Sequence, residues 1–192
     1  DFIIGLVRAH PRRLFGFGQV MPQADDALDE IARIAEAGLS GLKLHPSMHG
    51  YHVADHGLLD PVFEACARYK LPVLINSLDD AFCAPLAIEE IARNHPGVPT
   101  IIAHMGAVWN VPEAIIVSER QPHIYLETSA TLLSDVRRAY ARVGASKILM
   151  GSEWPGSDFD LERMKIKKAI PDERDRALIE GGNMARILRL AA

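Results

Sequence analysis

Five side chains able to bind a ligand or move a proton stand at or just past the ends of short apolar runs: Lys43 and His45, then Asn76, then His104, then Glu153. The last belongs to Ile148-Leu149-Met150-Gly151-Ser152-Glu153-Trp154, which reads as a buried strand stopped by a Gly-Ser turn that presents a carboxylate. A carboxylate there can bind a metal, take a proton or cap the helix that follows. An imidazole such as His104 can hydrogen-bond a substrate oxygen or an attacking water and stabilise developing charge. Lys43 and His45 are two apart in an extended run, so they point to one side, with Leu42 and Leu44 on the other. If the leucines face covering helices, the lysine and imidazole face the interior, a costly position unless something pairs with them. Each residue taken alone also fits a loop cap or a satisfied core side chain. Four strands ending in the same way argue for a shared site.

What could bring these residues together is an alternation of strands and helices. Six apolar runs, at 14–20, 41–45, 72–76, 100–104, 124–128 and 147–151, are each followed by a helical pattern. Their middles are apolar on both faces, as in Val73-Leu74-Ile75, which is the signature of parallel strands covered by helices. In an α/β barrel the carboxyl ends of such strands form the active-site mouth. The first helix carries Asp25, Asp26 and Asp29 at its start, a stripe of Leu28, Ile31, Ala32 and Ala35, and Gly38 at its end. Asp60-Pro61 reads as an N-cap followed by proline at the first helical position, with Val62, Cys66 and Tyr69 on one face. Pro85 begins a helix with Ile88, Ile91 and Ala92 inward, Val136, Ala139, Tyr140 and Val143 line another, and 172–190 forms a long terminal helix anchored by Asn183 and Arg186.

Residues 1–9 read as the last turns of an amphipathic helix. The expectation is one domain over 1–192, incomplete at its N-terminal side. Six βα units are two short of an eight-stranded barrel, and an open doubly wound sheet is the alternative. The helical start favours a barrel whose first two units lie upstream or are supplied in another way.

The 192 residues suffice for a substantial core, and 48% hydrophobic with 24% charged residues is the balance of a globular protein. A net charge of -4 gives no reason to expect nucleic acid or an anionic membrane as partner. Lys165-Ile166-Lys167-Lys168 reads as a solvated helix face. Cys66 and Cys83 lack metal or redox spacing and point to a reducing, cytoplasmic setting. No apolar run reaches the roughly 18–20 residues that cross a bilayer. His45, His49, His52 and His56 crowd one glycine-containing loop, better read as a flexible part of the mouth than as a metal site. Asp79 and Asp80 read as loop caps; Trp109 and Trp154 could wall a pocket or pack in the core.

Several segments together resemble one family. Gly41-Leu42-Lys43-Leu44-His45-Pro46, Leu71-Pro72-Val73-Leu74-Ile75-Asn76 and Ile101-Ile102-Ala103-His104-Met105-Gly106 are similar in order and spacing to the amidohydrolase-related family, the branch of the amidohydrolase superfamily that includes aminocarboxymuconate-semialdehyde decarboxylase. So are Tyr125-Leu126-Glu127-Thr128-Ser129, the stretch 148–155 and Glu180-Gly181-Gly182-Asn183-Met184-Ala185-Arg186. The resemblance implies a TIM-type (β/α)8 barrel, of which barrel strands three to eight are present here. It also implies one divalent metal, zinc in most members, held by a His-x-His pair on the first strand, a histidine ending the fifth and an aspartate ending the eighth. His104 matches the histidine ending the sixth strand, which acts on substrate or water. Asn76 stands where the fifth-strand histidine belongs, and Glu153 where the aspartate belongs; the His-x-His pair is not in this sequence.

An amide oxygen is a poor zinc ligand. Glutamate reaches about 1.5 Å further than aspartate, beyond the ~0.5 Å tolerance of a working site. The resemblance implies an enzyme that hydrolyses, or as runner-up decarboxylates, a small carboxylic acid, lactone or amide. His104 and Glu153 would be catalytic, Glu153 also the metal ligand, and Lys43, His45, Asn76 and Trp154 would contact substrate. A metal-independent, lactonase-like hydrolase is one alternative, with Asn76, Lys43 and His45 polarising the carbonyl. A degenerate barrel acting as a binding protein is another. Exposed parallel edges would favour a homo-oligomer.

Overall fold

The computed structural model describes residues 1–190. Six parallel strands form one sheet: β1 (Phe17–Gln19), β2 (Gly41–Leu44), β3 (Val73–Ile75), β4 (Thr100–Ile102), β5 (Ile124–Glu127) and β6 (Ile148–Leu149). Their spatial order is their sequence order, β1 through β6. A doubly wound sheet would reverse direction partway across. Adding every strand on the same side is the winding of a TIM-type barrel, so the open-sheet alternative is set aside and the chain is α/β with six barrel-type βα units. The strands lie inside the six apolar runs and are shorter. After Ile102 the chain leaves the sheet at once through a 3-10 turn at Ala103–Gly106, and that turn carries His104.

The two faces of the sheet differ. Leu42, Leu44, Val73, Ile75, Ile102, Ile124, Leu126 and Ile148 are completely buried against the helices, each worth roughly 1.5–3 kcal/mol of transfer free energy. On the inner face the register places Lys43 beside Leu74, Leu74 beside Ile101, Ile101 beside Tyr125, and Glu127 beside Leu149. Met184, Ile187 and Leu188 cover the lower, apolar part of this face. The charged strand residues of this face, Lys43 and Glu127, lie toward its upper rim.

Ten helices accompany the strands among the described residues. Those between successive strands are α2 (Ala27–Glu36), α3 (Pro46–His49), α4 (His56–Tyr69), α5 (Pro85–Ala92), α6 (Val111–Arg120) and α7 (Leu133–Val143). Before them comes α1 (Phe2–Ala9), as expected, and after β6 come α8 (Phe159–Ala169), α9 (Glu173–Ala177) and α10 (Asn183–Ile187). In α2 the buried residues are Ala27, Ile31 and Ile34, and Leu28 is exposed, so the apolar stripe is rotated from the expected one. Gly38 ends that region in a left-handed conformation.

Three further expectations are corrected. Asp55, not Asp60, caps α4, its carboxylate accepting the Leu58 N–H at 3.1 Å; Pro61 lies inside the helix. Asp60 is left to bind His95 Nε2 at 2.7 Å and His56 Nδ1 at 3.2 Å. The long terminal helix is interrupted by a π-helical turn at Leu178–Gly182. The weak helix former pair Gly181-Gly182 permits the wider turn, and the Ile179 carbonyl there accepts the Met150 N–H at 2.9 Å, tying β6 down. Finally, Lys165 is not on a solvated face. Its Nζ donates to Thr128 O (2.8 Å), Thr131 O (3.0 Å) and the buried Glu162 carboxylate (2.8 Å), fastening α8 to the loop after β5. Burial pushes the Glu162 carboxyl above its usual range, with Lys165 opposing.

Asn183 anchors the terminal segment as expected, donating to Ala145 O and Ile148 O at 2.8 Å each, and Arg186 adds a bond to Ser146 O. Cys66 and Cys83 are buried free thiols. No helix among the described residues is long and apolar enough to cross a membrane.

Candidate active site

His104 occupies the centre of the upper rim. Its backbone is left-handed (φ 59°, ψ 13°), followed by Met105 (φ 47°), and such a conformation costs an L-residue on the order of 1–2 kcal/mol. Glu127 at the end of β5 offsets that cost, because its Oε2 accepts the His104 N–H at 3.0 Å. The same carboxylate accepts the Ser129 N–H at 2.6 Å and the Ser129 hydroxyl at 2.8 Å. Ser129 Oγ in turn lies 2.9 Å from His104 Nδ1. On the other side of the ring, His104 Nε2 is 3.2 Å from Asn76 Oδ1 and 3.8 Å from Glu153 Oε2. His104, Asn76, Ser129 and Glu127 are all buried. Glycine at 151 makes this possible, since a Cβ there would sit 1.7 Å from Glu127 Oε1.

Sequence patterning alone does not single out Glu127 and Ser129. The available signal is parity: Glu127 lies two residues beyond Tyr125 and so shares the inner face, where an acid is as anomalous as Lys43.

Lys43 does face the interior, opposite Leu42 and Leu44. It is half-buried and has no hydrogen-bond or ion-pair partner among the described residues. Burial pushes its ammonium below the usual lysine range, and the carboxylates of Glu127 and Glu153 pull the other way. It lines a cleft of about 400 Å3 with Gln19, Leu74 and Ile4.

His45 is a helix cap: its Nδ1 accepts the Met48 N–H at 3.3 Å at the start of α3. Burial, then neighbouring Lys43, depress its basicity. The other loop histidines diverge, His49 toward Gln19, His52 to the Ala54 N–H and His56 to Asp60. Asp79 caps the loop before α6 by accepting the Val108, Trp109 and Asn110 N–H groups, and Asp80 accepts from Ser47 Oγ and Phe82 N–H.

Glu153 is also left-handed (φ 54°) and precedes a cis Trp154-Pro155 bond. Its side chain is 54% exposed and lies 3.8 Å from His104 Nε2. Trp154 and Trp109 are both exposed at strand ends, which removes core packing as their role.

An imidazole on a strained backbone between an amide, a hydroxyl and two carboxylates, those carboxylates within electrostatic reach of an unpaired ammonium, can orient an anionic ligand and exchange a proton with it. Its fit to a metal is another matter. No group of three or more His, Cys, Asp or Glu side chains is arranged to hold a metal ion among the described residues. His104 Nε2 and Glu153 are donors suited to zinc, and the amide of Asn76 is not. Alone, these residues do not fit the ion.

The family model described as Amidohydrolase matches residues 2–190. The chain belongs to the amidohydrolase family. Among solved structures, the chain is similar to 5-carboxyvanillate decarboxylase from Sphingomonas paucimobilis, with a TM-score of 0.81 and 19% identity over 100% of this chain and 71% of that one. It is similar to a dihydroxybenzoic acid decarboxylase from Polaromonas holding manganese and the inhibitor 2-nitroresorcinol, with a TM-score of 0.79 and 18% identity over 99% and 73% of the chains. A protein from Acinetobacter baumannii assigned as a 2-pyrone-4,6-dicarboxylic acid hydrolase, with citric acid bound, gives a TM-score of 0.79 and 13% identity over 98% and 78%. At these identities the likeness is one of fold. No curated protein matches the sequence.

Proposed function

We propose that this amidohydrolase acts on a small carboxylate-bearing substrate at its upper rim, hydrolysing a lactone or amide bond. The observation that carries this reading is Lys43, a half-buried cation without a partner among the described residues, within electrostatic reach of Glu127 and Glu153. Leaving an ammonium so placed is costly, and a substrate carboxylate would relieve that cost through a charge-assisted hydrogen bond. Citrate and aromatic ligands in the similar structures support a small acid as the class of ligand.

In this reading Asn76 and His104 Nε2 hydrogen-bond the substrate oxygen on which negative charge develops. Glu153, open to solvent on one side and 3.8 Å from His104 Nε2 on the other, takes the proton of the attacking water, a contribution of about 10²–10⁴-fold. The free edge of His45 and the exposed ring of Trp154 border the substrate. Manganese in the Polaromonas structure supports a divalent metal in the family, and a metal would supply an activated water. Among the described residues, the zinc expected at Glu153 finds only His104 as a second suitable donor.

Decarboxylation is the second reading, favoured by the decarboxylases among the similar structures. The same parts serve it: Lys43 orients the departing carboxylate, and the His104–Glu153 pair delivers a proton to the carbon left behind.

The test is a panel of lactones, amides and hydroxybenzoates, with ring opening followed by NMR and carbon dioxide release followed separately. One class is expected to turn over, with kcat lowered about 10²–10⁴-fold in His104→Gln and in Glu153→Gln, and KM raised in Lys43→Met. Failure of every carboxylate to bind or react contradicts the proposal.

A further inference from the structure

We infer that Glu127 and Ser129 are positioning residues that fix His104 as its Nδ1–H tautomer, leaving the Nε2 lone pair directed toward Asn76 and Glu153. The inference deepens the proposed function, in which His104 handles a proton, and rests on it for its purpose but not for its first test.

A count of protons leads to the tautomer. Each of the three contacts of the Glu127 carboxylate is with a donor: the His104 N–H, the Ser129 N–H and the Ser129 hydroxyl. A carboxylate has no proton to give. The single hydroxyl proton of Ser129 is therefore spent on Glu127 Oε2. Ser129 Oγ, 2.9 Å from His104 Nδ1, can only accept there, which requires the proton to be on Nδ1. The hydrogen bond made by one ring nitrogen thus determines the state of the other. Because Glu127 also binds the left-handed backbone of His104, a single carboxylate sets both the position of the ring and its tautomer.

Asn76 completes the device. In neutral His104 the Nε2 lone pair would face Asn76 Oδ1 at 3.2 Å, acceptor against acceptor, while Asn76 Nδ2 is buried without a partner. Rotating the amide by half a turn removes the conflict at the ring, because Nδ2 then donates to Nε2. The Asn76 amide turned so that Nδ2 faces the ring therefore suits the Nδ1–H tautomer and gives that buried Nδ2 a partner. The charged groups around the ring are Glu127 (3.9 Å from Nδ1) and Glu153 (3.8 Å from Nε2); His45 is also close enough to sense its charge, and Lys43 is near both carboxylates.

The test uses the full chain labelled with 15N-histidine, in which His104 is one of eight histidines and is assigned by its loss in His104→Gln. Long-range 1H–15N correlations at a pH where imidazoles are neutral are expected to show His104 protonated at Nδ1 and bare at Nε2. Ser129→Ala is expected to lose that preference, and Ser129→Thr, which keeps the hydroxyl, to retain it. Finding the Nε2–H form in the wild type overturns the inference, with no variant needed. So does an unchanged tautomer in a folded Ser129→Ala. None of these readouts depends on turnover, so an absence of catalysis would defeat the proposed function and leave the tautomer assignment standing.

Discussion

Lys43 and Lys147 lie at opposite ends of the same sheet and have opposite surroundings. Lys147, just before β6, donates to Gln121 O at 2.8 Å and to Pro122 O at 2.9 Å, and its Nζ stands 5.1 Å from the centre of the Tyr125 ring. Burial, with Arg186 nearby, pushes its pKa down to about 8. Lys43, at the upper end of β2, has no comparable bond. The backbones differ in degree, since at the lower end Lys70 is also left-handed (φ 59°). At the lower end Asn183 and Arg186 satisfy the carbonyls of residues 145, 146 and 148. At the upper end His104, Met105 and Glu153 are held in left-handed conformations. At the lower end Lys147 and the carbonyls of residues 145, 146 and 148 are paired, and among the described residues His123 Nδ1 is the buried polar atom there without a partner. The upper end keeps strain and an unpaired charge, which persist in proteins where they serve a ligand.

The largest expected effect comes from filling the one space the upper end depends on. Gly151→Ala puts a methyl where Glu127 Oε1 lies, displacing the carboxylate that orients His104. Turnover should fall by about 10²–10⁴-fold, comparable to loss of an acid–base group, with a stability cost of about 1–3 kcal/mol from overpacking. Normal kinetics in this variant would separate Glu127 from catalysis.

Exchanging the two lysines for methionine should sharpen the contrast. Lys147→Met strands two carbonyls and should lower stability by about 1–3 kcal/mol in urea, with ligand affinity intact. Lys43→Met removes an unpaired cation and should leave Tm unchanged or higher, while weakening carboxylate binding. Matching Tm losses in both would mean that Lys43 has a structural partner.

A further contrast lies in pH. Lys147 falls from 10.5 to about 8 on folding, so between these values the unfolded chain binds the extra proton. Its contribution to stability therefore rises with pH from about 8, is complete above 10.5 and is lost as pH falls through about 8. The difference in stability between wild type and Lys147→Met should show this slope; a flat difference would place the group in solvent.

The sequence makes part of this contrast legible and hides the rest for a physical reason. The alternation of Leu42 and Leu44 with Lys43 fixes which way the lysine points, and the patterning of Ile88, Ile91 and Ala92 identifies a buried helical face, because both depend on neighbours in the chain. His104 needs Asn76, Glu127 and Ser129, which lie 23 to 28 residues away, and no local pattern encodes those distances. Lys165 resembles any solvated lysine until the carbonyls of Thr128 and Thr131, more than thirty residues earlier, are brought to it. Local rules also compete with one another. Asp60-Pro61 has the composition of a helix start, yet Asp55 caps the helix, and Asp60 is taken by His95 from another part of the chain.

The most direct test of the difference between the two ends is an NMR titration of the folded wild type, Lys43→Met and Lys147→Met with benzoate as a minimal carboxylate. Saturable binding is expected in the wild type and in Lys147→Met, with Kd raised about tenfold or more in Lys43→Met, the equivalent of roughly 1.4 kcal/mol. Equal binding by Lys43→Met and wild type, or an equal loss in both variants, would contradict a ligand site at the upper end of the sheet.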